Sequence, residues 1–301
     1  MHSIKIFSAS VVTSGIIVAA MCLAGCNNTK KTDQNVQVVP KNDTASSGLL
    51  KINNQIFSIP SPIQTALLIK KNGYSYDKKV LNAAENYSKY TTKYKQALNL
   101  GVYGADLGYI SLYDQSQDAL VYMASVEKLA TDVGVANAFD AALLKRFQVN
   151  MGKQDSLLSM VSEAFRKSDA YFKDNKQGDI SSLILVGGWV ESLYFATEAN
   201  AHTNQKDIVR RIAEQKISLQ NLIKMLAPYG SRPEYADLIK NLTNLSNVFD
   251  NVEFVYNFVA PTVDAANKVT NVNSTSEVKI SPEQLKEITE KVEAIRNQIA
   301  G

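Results

Sequence analysis

Residues 180–197 read ISSLILVGGWVESLYFAT, and the only acid or base of ordinary pKa among them is Glu191. Eighteen residues are too many for one strand of a typical sheet, and the apolar positions do not alternate with polar ones. A helix that is apolar on every side is a core helix. Residues 96–113, QALNLGVYGADLGYISLY, repeat the pattern with Asp106 as the only acid. Two such segments predict a bundle built around two buried helices, each carrying one carboxyl group.

The small residues refine that expectation. Gly101, Gly104, Ala105 and Gly108 recur at helical spacing, and Gly187 and Gly188 interrupt the second segment. Glycine inside a helix costs about 1 kcal/mol relative to alanine, so close backbone packing or a ligand is expected to compensate.

The rest of the chain is also helical in pattern. Ser61-Pro62-Ile63-Gln64 reads as a capping box with proline at the first helical position, and Gly73 closes that helix. Further helices are predicted from about Tyr87 to Tyr113, Gln115 to Val133, a start at Asn137 and Asp140 running to Asn150, Gln154 to Lys173, Asp179 to Ala199, Asn204 to Leu226, and Arg232 to Asn257. Ser231-Arg232-Pro233-Glu234 and Ser281-Pro282-Glu283-Gln284 are two more capping boxes. Short connections favour antiparallel neighbours. The expected fold is all-α, an antiparallel bundle of about seven to nine helices over residues 56–301. The Asn/Thr/Ser-rich stretch 261–280 reads as a flexible loop. A C-terminal amphipathic helix follows, with Leu285, Ile288, Val292, Ile295 and Ile299 in steps of three and four. That seam either docks on the bundle or binds a partner.

The N-terminus has a different character. Lys5 is the only charge before an apolar stretch from Ile6 to about Met21, which closes with Leu23-Ala24-Gly25-Cys26. This is the order of an export signal. The last four residues resemble the lipobox of bacterial lipoproteins. The resemblance implies cleavage after residue 25 and attachment of fatty chains such as palmitate to Cys26, tying the chain to a membrane. Two or more chains anchor stably where one does not. Asn27 and Asn28 occupy the positions where an aspartate would retain such a lipoprotein at the inner membrane. The outer membrane, facing the periplasm, is therefore the expected site, with the cell surface as the other option. Residues 26–55 read as the lipidated cysteine and a polar tether, whose 29 or so residues reach roughly 30 Å.

Processing would leave about 275 of the 301 residues, and losing Lys5 lowers the formal charge from +3 to +2. That is no basis for nucleic-acid binding. Cys22 and His2 would leave with the signal and Cys26 would be occupied, so the mature chain has no free thiol and only His202. Thiol catalysis and Cys- or His-rich metal sites are excluded on that inventory. No phosphate loop is legible, and no cofactor or metal is expected. His202 itself reads as a solvated loop residue.

Asp106 and Glu191 are the candidate catalytic residues. Buried acids must be paired or protonated, and nine of the fourteen tyrosines lie between Tyr74 and Tyr122. Tyrosine hydroxyls or an arginine are expected to satisfy both acids in the core. The functional alternative is a polar pocket in which Tyr103, Tyr109, Trp189 and Tyr194 contact a ligand. Glu191-Ser192 resembles the Glu-Ser pair of lytic transglycosylases, which would make the pair a carboxylate-dependent hydrolase or lyase acting on glycan. The downstream Gly-Leu-Met-Gln of that family is replaced here by Leu193-Tyr194-Phe195-Ala196. The favoured expectation is a non-enzymatic binding or accessory lipoprotein with an envelope protein partner.

Overall fold

The computed structural model describes residues 49–52, 55–58, 62–136, 141–203, 205–264 and 268–301. Cys26, the export signal, the capping serine Ser61 and the helix start at Asn137 and Asp140 lie outside them. The fold is all-α, a multi-helix bundle with short antiparallel strand pairs. In chain order the helices are α1 (Pro62–Lys71), α2 (Lys93–Leu112), α3 (Ser116–Val133), α4 (Ala141–Val149), α5 (Gln154–Asp174), α6 (Gly178–Thr203), α7 (Lys206–Ala213), α8 (Gln215–Leu226), α9 (Pro233–Phe249) and α10 (Pro282–Ala300).

The two apolar segments form α2 and α6, which pack on each other more extensively than any other pair of elements. The glycines explain how closely they approach. A Cβ on Gly101 would overlap the carbonyl oxygen of Ile184, and one on Gly187 would overlap that of Leu98. Gly108 lets α1 approach, since a Cβ there would lie 2.9 Å from Cγ1 of Ile63. Close packing is thus what these three glycines serve. Gly104 is different: among the described residues nothing lies within 4 Å of the Cβ it lacks. Among the described residues α6 is the helix long and apolar enough to cross a membrane, but 89% of that window is buried inside the bundle.

Around this pair, α3 packs on α2, α1 sits against both central helices, and α10 lies against α6 and α9. The seam of α10 is docked on the bundle, with Ile288, Val292, Ile295 and Ile299 buried. Its start is the capping box read from the sequence: Gln284 N–H donates to Ser281 Oγ at 3.2 Å, and Ser281 N–H donates to Gln284 Oε1 at 2.7 Å. The box expected at Ser231 does not form. Arg232 is the capping residue of α9, without a side-chain cap bond. Its guanidinium instead binds Asp179 and lies over Tyr235.

Four boundaries differ from expectation. Residues 84–89 form a 3-10 turn ahead of α2, and Glu214 separates α7 from α8. The end of the expected tether is β1 (Leu49–Ile52), paired with β2 (Gln55–Ser58). The fourth difference is larger. The helix expected to reach Asn257 ends at Phe249, and β3 (Glu253–Asn257), β4 (Thr262–Asp264), β5 (Val269–Asn271) and β6 (Thr275–Lys279) follow. β3 pairs with β6, Glu253 opposite Lys279, and β4 pairs with β5 inside them, Thr262 opposite Asn271. Asn273 donates to the Ala260 carbonyl at 3.0 Å and joins the two pairs into one ribbon arm. The residues 254–259, FVYNFV, are aromatic or β-branched apart from Asn257. Such residues favour strands once a partner strand is present. The expected loop 261–280 therefore carries strand.

Candidate functional site

Helix α2 places Asp106 and helix α6 places Glu191 in the same part of the core, both with no solvent exposure. The group that meets Glu191 comes from the last helix. Arg296 donates from Nε to Oε2 and from a terminal nitrogen to Oε1 of Glu191, each at 3.1 Å. This is the parallel, two-bond geometry that makes arginine–carboxylate pairs strong. The guanidinium also lies 4.9 Å from the Tyr194 ring and donates to the Val80 carbonyl at 3.5 Å.

Among the described residues, neither carboxyl oxygen of Asp106 meets a donor at hydrogen-bonding geometry. Burial, then repulsion from Glu191, pushes Asp106 well above the usual carboxylate range, and Arg296 offsets only part of this. Burial also raises Glu191, against the attraction and hydrogen bonds of Arg296. Burial alone would lower Arg296, but the charge and hydrogen bonds of Glu191 push it higher instead. The consistent assignment is a protonated Asp106 beside an ionised Glu191 paired with Arg296. One negative and one positive charge then cancel, which is the low-cost state for a dry site.

A polar lattice anchors the end of α10 and so places Arg296. Asn99 donates to the Ile299 carbonyl at 2.8 Å, Tyr90 OH donates to the Ala300 carbonyl at 3.0 Å, and Asn82 donates to Tyr90 OH at 2.9 Å.

The aromatic candidates are dispersed. Tyr194 joins the cluster through Arg296. Tyr103, fully buried, donates its hydroxyl to the Ala83 carbonyl at 2.6 Å. Tyr109 stacks on Tyr76 and accepts from the Asp77 N–H at 3.1 Å; burial raises it to about 12. Trp189 donates to Gln215 Oε1 at 3.0 Å, on the side facing α8. Among the described residues, Tyr103, Tyr109 and Trp189 bond to three different places, Ala83, Asp77 and α8. His202 is exposed, as expected, but lies in the last turn of α6 rather than in a loop, its ring 5.8 Å from that of Tyr74. The functional group missed in the sequence is Arg296. Its signal was its place beside Ile295 on the docking seam, the one cation that a docked α10 turns toward the core.

A second feature lies on the far face of α2. A cavity of about 80 Å³ separates α2 from α4 and α5. Leu100 and Ala105 of α2, Val126 of α3, Phe147 of α4 and Met160 of α5 contribute to its wall, together with Gly104. Left empty, a void of that size costs about 2 kcal/mol. Comparison of the chain with protein-family models, with curated proteins and with solved structures gives no match. The class defined here is therefore a structural one: a helical bundle with a sealed acid–acid–arginine cluster, an apolar cavity and a projecting ribbon arm.

Proposed function

We propose that this chain is a lipid-anchored envelope protein, held by Cys26 in the outer membrane and facing the periplasm, that works by binding a partner protein rather than by catalysis. The observation that carries the binding role is the arm formed by residues 253–264 and 268–279. Tyr256, Phe258, Val263 and Val272 on it are between 65% and 77% exposed. Large apolar side chains left this exposed on one arm are a feature of interaction sites. The anchor rests on the sequence Leu23-Ala24-Gly25-Cys26. Against the glycan-cleaving alternative stands the complete burial of Asp106 and Glu191, since a substrate would have to open the core to reach them.

Two measurements test the reading. Intact-mass spectrometry of native protein should show loss of the first 25 residues and acyl chains on Cys26; an unmodified cysteine overturns the anchor. Cross-linking in intact envelopes should join a defined partner to the wild-type arm but not to a Tyr256→Lys, Phe258→Ser variant. Equal cross-linking by both overturns the role of the arm.

A further inference from the structure

We propose that the cavity between α2, α4 and α5 is a binding site for the end of one linear hydrocarbon chain, such as a fatty acyl tail. The wall chemistry selects the ligand class. Among the described lining residues Ser168 carries the only polar side chain, the rest being aliphatic, aromatic or glycine. A charged or strongly polar ligand would lose its hydration there without finding partners.

Size narrows the class. An apolar cavity of about 150 Å³ takes a benzene ring. At about 80 Å³ this one is smaller, which suits the narrow end of an extended chain better than a ring. The lining residues Pro62, Gly104 and Leu144 keep partial solvent exposure. They mark where the remainder of a chain would leave the protein.

Gly104 supplies the second argument. Gly101, Gly108 and Gly187 have a packing reason to lack a side chain, because another element occupies the place of the Cβ. Gly104 has none among the described residues, with open space where its side chain would be. Alanine would hold the helix better and intrude on the void. A glycine in the interior of a helix, facing an apolar cavity, keeps that space open.

The test uses the mature chain with Cys26→Ser, so that no fatty chain of its own competes, and a long-chain fluorescent fatty acid displaced by palmitate. Saturable fluorescence is expected. Gly104→Leu, which fills the cavity from α2, should weaken binding by about tenfold or more without lowering the melting temperature. Ser168→Leu fills it from α5 and should act alike, so the result stands if either variant folds. Phe258→Ser, on the distant arm, should leave binding unchanged. The proposal is overturned by absence of saturable binding to the wild type, by full binding in the filled variants, or by loss of binding in Phe258→Ser. It does not rest on the arm or on the anchor, so its failure leaves the proposed function standing.

Discussion

Arg296 of the last helix holds Glu191 of the central helix by two hydrogen bonds of 3.1 Å, across 105 residues of sequence. The carboxylate has no solvent exposure, and the guanidinium side chain keeps 13%. Removing one partner of such a pair strands the other charge. Arg296→Ala is expected to cost about 3–5 kcal/mol in urea denaturation. Removing both charges with Glu191→Gln and Arg296→Met should recover much of that loss. A single-variant cost below about 1 kcal/mol would contradict the sealed pair.

Asp106 is expected to respond to pH in the opposite sense from a salt-bridged acid. Its carboxyl titrates higher in the folded chain than in the unfolded one. The folded state therefore keeps a proton that the unfolded state has released, and stability falls as pH rises above about 4. Asp106→Asn removes that dependence and offers an amide N–H to Glu191. The variant should be at least as stable as wild type at neutral pH, with a flatter stability profile between about pH 4 and 7. A steeper profile would place the proton elsewhere.

The glycines of α2 and α6 should separate cleanly in thermal melts. Gly101→Ala drives a methyl into the Ile184 carbonyl, and Gly187→Ala drives one into that of Leu98. Each is expected to lose about 1–3 kcal/mol or more through forced separation of the helices. Gly104→Ala meets open space and should gain up to about 1 kcal/mol from helix propensity.

Trp189 is the only tryptophan and is buried, so its emission reports on the α6–α8 contact. Gln215→Leu leaves the indole N–H without its acceptor and should cost about 1–3 kcal/mol. The emission should remain blue-shifted in the folded variant. A red-shifted native spectrum would mean that α8 had detached.

The central helices were legible because their information is local and redundant. Long charge-free runs around Asp106 and Glu191 admit one environment, the core, and closely spaced glycines there admit close contact. The capping box at Ser281 was legible for the same reason, since its two hydrogen bonds span three residues. The arm was not. Residues 254–257 continue a helical run in the sequence, and only pairing with residues 275–278 makes strand the better state. A helix forms its hydrogen bonds within itself, whereas a strand needs a partner that local pattern does not name.

By itself the sequence determined that this chain is a helical bundle with two acids in its core. It also determined that the mature chain, if cut before Cys26, would have no free thiol and a single histidine. Tertiary structure alone decided which cation pairs with Glu191, which acid is left to carry a proton, and which glycine faces a void rather than a neighbour. The division has one physical cause. Periodicity and burial follow from each residue's own preference for water or for the interior, while pairing and cavity shape depend on which distant surfaces meet.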